Sequence, residues 1–271
     1  MSRAKLTDLT TDLVPLAFLE RCGEVFHCFD QQDSGNVSYG VRVGGEHWFV
    51  KTAGDPDAPV FLDHAQRVAL LNNAVQVWNS CTHPALSRLQ HVISSPQGPL
   101  LIYEWLEGEL INVPSARRSD PDSAYQRFRG HPDLAHALAT LFDAHAALAA
   151  AGWVACDLYD GCLMWDGSEL RLIDIDHYQS GPFTNTMGRL FGSDRFMAPE
   201  EFELGARIDE RTTVFNLGRF VFEFMGDGST SRAAFRGSEA QWRIAREACA
   251  VSPAQRLSGV ADLHERWRLT L

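Results

Sequence analysis

The stretch from Val154 to Asp176, VACDLYDGCLMWDGSELRLIDID, admits few folds. It reads as a helix end, a tight loop, a short strand, a turn and a second short strand. Asp157 falls in the loop and Asp174 at the end of the second strand. One hairpin's length therefore separates the two carboxylates and can bring both to one side of a cleft. One can orient a hydroxyl or take its proton, and the other can hold a divalent cation on a phosphate. The competing reading makes Asp157 an ordinary loop residue and lets Asp174 and Asp176 end an edge strand.

The rest of the chain bears on that choice. At 271 residues it exceeds one average domain without clearly making two, and at 45% hydrophobic it has material for a substantial core. Its 24 basic and 35 acidic residues leave a net charge of −11. That balance argues against nucleic acid or an anionic membrane as partner, while a nucleotide needs only local positive charge. Cys22, Cys28, Cys81, Cys156, Cys162 and Cys249 form no C-x₂-C pair, so free thiols are expected. The opening MSRAKLTDLT has no apolar signal core, and no run approaches a membrane span. The expectation is a soluble cytoplasmic protein.

In chain order, the apolar residues Leu6, Leu9, Leu13, Leu16, Phe18 and Leu19 predict a short packed helix within residues 1–20. The alternation Tyr39, Val41, Val43, the pair Gly44-Gly45, then Trp48 and Val50 predict a hairpin. Ahead of it, Asp33, Ser34, Gly35, Asn36, Val37 and Ser38 form a small-residue loop that can lay backbone N–H groups over a phosphate. Lys51 ends the hairpin and can pair with phosphate oxygens; its bland counterpart is a solvated lysine at a strand end. Residues 59–80 predict a helix with Phe61, Ala65, Val68, Leu71 and Val75 inward. Strands follow at 86–94 and 99–105, joined by the turn 95–98. Asp133 is the expected N-cap of a helix through Ala151, whose His136 and His145 read as surface or satisfied core histidines rather than metal ligands. A long loop spans 177–200, and helices are predicted near 209–226, 239–250 and 259–271. A strand-rich N-terminal part thus precedes a helical C-terminal part, with a linker near 106–115.

Taken together this order resembles the protein-kinase fold over about residues 20–265. GSDRFMAPEE (192–201) is similar to the end of a kinase activation segment, TTVFNLGRFVFEFMGDG (212–228) to the buried helix after it, and SPAQRLS (252–258) to the stretch whose arginine pairs with the segment's glutamate. More narrowly, the chain resembles small bacterial serine/threonine-kinase-like proteins with D-x-Y-D-G loops. The resemblance implies an α+β, bilobal fold: a β-rich nucleotide-binding lobe over 1–106 and an α-helical catalytic and substrate lobe over 107–271, in a single kinase-like domain.

It also implies an ATP- and Mg²⁺-dependent phosphotransferase acting on a serine or threonine of a protein substrate. Lys51 then contacts the α- and β-phosphates under the loop Ser34–Ser38. Asp157 orients the acceptor hydroxyl, and Asp174 holds the metal. Glu104 to Leu106 stand at the hinge that reads adenine, with Tyr103 on the pocket's back wall. Glu200 and Arg256 form a buried structural ion pair.

Four departures qualify the likeness. The catalytic-loop arginine is replaced in Ala155-Cys156-Asp157, which implies that activity does not depend on loop phosphorylation. Cys162 stands at the metal-binding asparagine and is a poor magnesium ligand, which leaves Asp160 or Asp176 to supply an oxygen. The helix at 60–80 offers no glutamate for Lys51, with only Asp63, Asn72 and Asn73 near. Thr213 replaces an aspartate that braces the catalytic loop, though its hydroxyl can still accept one backbone N–H. The alternatives are a small-molecule, antibiotic-type phosphotransferase and a pseudokinase scaffold that binds nucleotide weakly.

Overall fold

A glycine pair closes the first hairpin. Gly44 and Gly45 both have positive φ, 62° and 92°, as a two-residue turn between twisted strands demands, and glycine adopts this without strain. The computed structural model describes residues 5–32 and 34–271. Asp33 of the small-residue loop lies outside the described residues. The architecture is α+β, with a sheet of five antiparallel strands and seven α-helices among the described residues. The chain divides into two compact units: residues up to Ser80 with Ser87–Leu106, and Cys81–Leu86 with Glu107–Leu271.

The first unit contains α1 (Pro15–Cys22), β1 (Glu24–Phe29), β2 (Val37–Val43), β3 (Glu46–Thr52), α2 (His64–Ser80), β4 (Leu89–Ser95) and β5 (Gly98–Glu104). The strands lie in the order β1-β2-β3-β5-β4. Alternation sends Tyr39, Val41 and Val43 with Val50, Leu100 and Ile102 to one face, where they pack with Phe18, Leu19 and Cys22 of α1. Phe49, Leu101 and Tyr103 go to the other face, against Leu71 and Ala74 of α2. A helix on each side thus buries both faces of the sheet.

Two expectations need correction here. The helix read within 1–20 begins only at Pro15, a residue suited to a helix start because its missing N–H has no partner to lose there. Upstream, the chain runs beside β4, with Thr10 bridged to Ser94. Of the face expected inward on α2, Leu71 is buried and Val68 and Val75 pack against the same cluster, but Ala65 is exposed and Phe61 lies before the helix and is 76% exposed; Arg67, Ala74 and Val77 are buried with Leu71 instead. Arg67 is buried there because it donates to the carbonyls of Gly35 (3.0 Å), Ala53 and Asp55 (2.8 Å).

The second unit contains β6 (Glu109–Leu110), α3 (Ala124–Arg129), α4 (Leu134–Ala150), β7 (Trp153–Val154), β8 (Leu163–Trp165), β9 (Leu170–Leu172), β10 (Gln179–Ser180), β11 (Phe183–Thr184), β12 (Arg207–Ile208), α5 (Glu210–Gly226), α6 (Glu239–Ala248) and α7 (Val260–Arg268). The long loop after β9 is pinned by two short pairings, β10 with β7 and β11 with β12. Asp133 occupies the cap position of α4, but its side chain makes no cap bond. Apolar residues lie all around α5, and from Thr212 to Gly226 every residue but Arg219 is buried, as befits a helix at the centre of a core. Asp209 caps it by accepting from the Arg211 N–H (2.9 Å). Trp267 of α7 stacks edge-on against Phe142 of α4 and donates its indole N–H to Ala135 O (2.9 Å). Among the described residues, no helix is long and apolar enough to cross a membrane.

His145 of α4 is a satisfied core histidine, as its place in the pattern suggested. Its Nδ1 lies 2.8 Å from Leu141 O, and a carbonyl only accepts, so Nδ1 carries the proton. Nε2 then accepts from the Tyr178 hydroxyl at 2.7 Å. Burial lowers the His145 pKa to about 4. The unfolded chain takes up this proton near pH 6.5 and the folded chain only near pH 4, so the His145 contribution is present above pH 6.5 and lost as pH falls towards 4. Between pH 7 and 5 the wild type is expected to lose about 2 kcal/mol relative to a His145→Gln variant. Urea midpoints of both proteins at each pH measure it. The comparison must be differential because Glu201, raised by burial to about 7, gains stability over the same fall in pH.

Candidate active site

Asp157 and Asp174 are unusual in their backbone before anything is said of their side chains. Among the described non-glycine residues only Asp157 (φ 58°), Asp174 (φ 55°) and Asp227 (φ 55°) have positive φ. Asp227 ends α5, an ordinary place for it. The other two are the carboxylates singled out in the sequence. Aspartate enters this region more readily than most residues, yet it still pays strain there, and such strain gathers at functional sites.

The β8–β9 hairpin brings the two together. Its turn is tied by Asp166, whose Oδ1 accepts from the N–H groups of Ser168 and Glu169, both at 2.8 Å. At the open end, Ile173 N–H donates to Cys162 O (2.8 Å), and Cys162 N–H donates to Tyr159 O (2.9 Å). The Cys162 thiol donates to Asp157 O (3.2 Å). Burial, then the charges of Asp174 and Asp157, push that thiol well above its ordinary pKa. Burial first, then Cys162, then the same two charges also raise the Tyr159 hydroxyl. Both carboxylates therefore bear on the same thiol and the same phenol. Asp174 stands just beyond the end of β9 rather than within it.

The neighbours sort themselves by what they are already bonded to. His177 Nε2 lies 3.9 Å from Asp157 Oδ2, with its ring 4.9 Å from that of Phe191. Thr213 Oγ1 accepts the Ala155 N–H at 3.0 Å, the bond its hydroxyl was expected to make. Asp160 is fully buried, and both its oxygens accept from Arg195 Nη2 at 2.7 and 2.9 Å. Both oxygens are thus already engaged by a permanent cation, which competes with any metal for them. Asp176 is buried at 3% exposure. Cys162, protonated and committed to a carbonyl, offers magnesium nothing. Asp174, with Asp176 near it in the chain, is the oxygen donor that fits a hard divalent cation. Among the described residues no group of three or more His, Cys, Asp or Glu forms a cage. Magnesium needs none, because it keeps water and phosphate oxygens as ligands.

In the first unit, Lys51 sits in β3 opposite Ser38 and Leu101 and is buried. The loop before β2 is closed on itself. Gly35 N–H donates to Gln32 O (2.9 Å), and Asn36 N–H to Ser34 Oγ (3.3 Å). Gly35 has φ 82°, and a Cβ there would fall 2.3 Å from Val60. Val37 and Ser38 already belong to β2, paired with Thr52 and Lys51. Glu104 ends β5, its carboxylate accepting from Gln90 Nε2 at 2.5 Å, and Leu106 is the last residue of the unit. The sequence reading missed Arg67, which holds this loop through Gly35 O.

A cavity of about 440 Å³ opens in the second unit among His83–Ala85, the start of α4 and the β8–β9 turn. Neither Asp157 nor Asp174 lines it. No family model matches the chain, and no curated protein matches it.

Proposed function

We propose that this chain is an ATP- and magnesium-dependent phosphotransferase acting on a serine or threonine hydroxyl of a protein. The observation that supports it is the pairing of Asp157 and Asp174, both in left-handed backbone, on loops joined through Cys162. Phosphoryl transfer is mostly positioning and electrostatics, and residues kept in costly conformations gather at sites of that kind. Asp157 orients the acceptor hydroxyl and takes its proton. Asp174 would hold magnesium, with Asp176 as second oxygen donor, and the bound ion supplies positive charge to the phosphate oxygens. Lys51 is assigned to the phosphates. The loop Ser34–Ser38 must break its internal bonds before its amides reach a phosphate.

A second reading has one observation in its favour. The buried, protonated Cys162 supplies no second metal ligand, which favours a pseudokinase that binds nucleotide without turning it over.

The test is transfer of labelled phosphate from ATP by the purified chain with magnesium, read on a generic protein substrate and on the chain itself. Asp174→Asn is the right companion, because asparagine tolerates the left-handed backbone that alanine does not. Transfer by the wild type that falls to background in the variant supports the first reading. A thermal shift with ATP and magnesium but no transfer supports the second. Neither transfer nor shift overturns both.

A further inference from the structure

We propose that Arg195 is a positioning residue for Asp157, clamping the loop 157–162 from below, an inference that rests on Asp157 being the group that orients the acceptor. Arg195 lies in the segment Gly192–Glu201, far from Asp157 in sequence. Its Nη2 takes both oxygens of Asp160, a side chain with no exposed surface. Its Nη1 donates to Glu223 of α5 at 2.6 Å, and Glu223 also accepts from the Tyr125 hydroxyl of α3 at 2.9 Å. The guanidinium lies 4.7 Å from the ring of Phe196, which packs on Phe220 at 4.4 Å. Arg219 donates to the Arg195 carbonyl at 2.8 Å. Burial works against the charge, but Asp160 and Glu223 outweigh it and raise the arginine's pKa. One side chain thus joins α5, the segment and the loop, and reaches α3 through Glu223.

From Asp160 the restraint reaches Asp157 through a stiff path. Asp160 begins a single 3₁₀ turn to Cys162. Tyr159 leaves no space beside Gly161, where a Cβ would meet its ring at 2.3 Å. Cys162 then bonds back to Asp157 O. On the other side, Thr213 fixes Ala155. Asp157 is left between two anchors, which hold a backbone it would otherwise leave. Without Arg195, two buried carboxylates lose the cation they share, and the lower anchor goes. Any shift of the segment that carries Arg195 is passed to Asp157 by the same route.

Arg195→Lys keeps the charge and loses the fork. In the full chain, the amides of residues 158–162 are expected to exchange about tenfold faster, while those of α7 keep their protection. Turnover is expected to fall on the order of 10–100-fold, with KM for ATP nearly unchanged. Arg195→Met should behave similarly and regain turnover with a few millimolar guanidinium, well below denaturing concentration. Unchanged exchange overturns the proposal, and so does faster exchange with unchanged kcat. If the wild type transfers no phosphate, the reading of Asp157 falls and the positioning role with it. The exchange measurement then still decides separately whether Arg195 holds the loop.

Discussion

Replacing Arg256 with alanine is expected to lower the unfolding free energy by about 3–5 kcal/mol, seen as a large fall in the urea midpoint. Its Nη1 and Nη2 meet Glu200 Oε1 and Oε2 at 2.5 and 2.8 Å. The remaining donors go to the carbonyls of Ala250, Arg211 and Val251 at 2.8, 3.0 and 3.1 Å. The arginine side chain has no exposed surface, and that of Glu200 is 8% exposed. Glu200 accepts one further bond, from the Thr212 hydroxyl at 2.8 Å. Alanine leaves a buried carboxylate with that hydroxyl alone, together with three carbonyls stripped of a donor. Glu200→Ala should cost a comparable amount, and the double variant clearly less than the sum, because the second change removes the charge the first one stranded. A loss under about 1 kcal/mol for Arg256→Ala would place the pair with surface bridges and refute its structural role.

Arg67→Met is the second large effect, expected at about 3 kcal/mol and confined to the first unit. Arg67 has no exposed surface, and it donates to the carbonyls of Gly35, Ala53 and Asp55. Methionine fills much of the volume but strands the three acceptors, each worth roughly 1–3 kcal/mol when buried and unmet. Relief of the buried charge offsets part of that loss. Lysine cannot span three carbonyls from one ammonium and should recover little. Hydrogen exchange separates the units: β2 and β3 should lose protection while α5 keeps it. Equal loss in both would show that Arg67 is not a local fastener.

Arg67 also marks where the sequence stopped being legible. A charged residue in a helical pattern reads as the solvent side, so periodicity finds Val68, Leu71 and Val75 on the packed side of α2 but not Arg67. Its burial depends on three carbonyls distant in sequence, and no periodicity reports them. The β2–β3 hairpin was readable because alternation and Gly44-Gly45 are local, and α5 because it is apolar all round. The Arg256–Glu200 pair and the Thr213 bond were anticipated through the resemblance, as roles attached to positions. For Asp157 and Asp174 the residue type was visible, but not the backbone state. Asp160 reads from the sequence as a spare oxygen donor, and its engagement by Arg195, which reaches it from another segment, is not legible there.

The left-handed backbone at Asp157 and Asp174 also bears on how such a chain drifts. Glycine adopts φ near 55° without the Cβ clash that aspartate meets there, at an entropic cost of its own. Backbone geometry alone would therefore admit glycine at both positions. If the phosphotransferase proposed above is this chain's activity, a lineage released from it can lose either carboxylate with no steric barrier in the backbone.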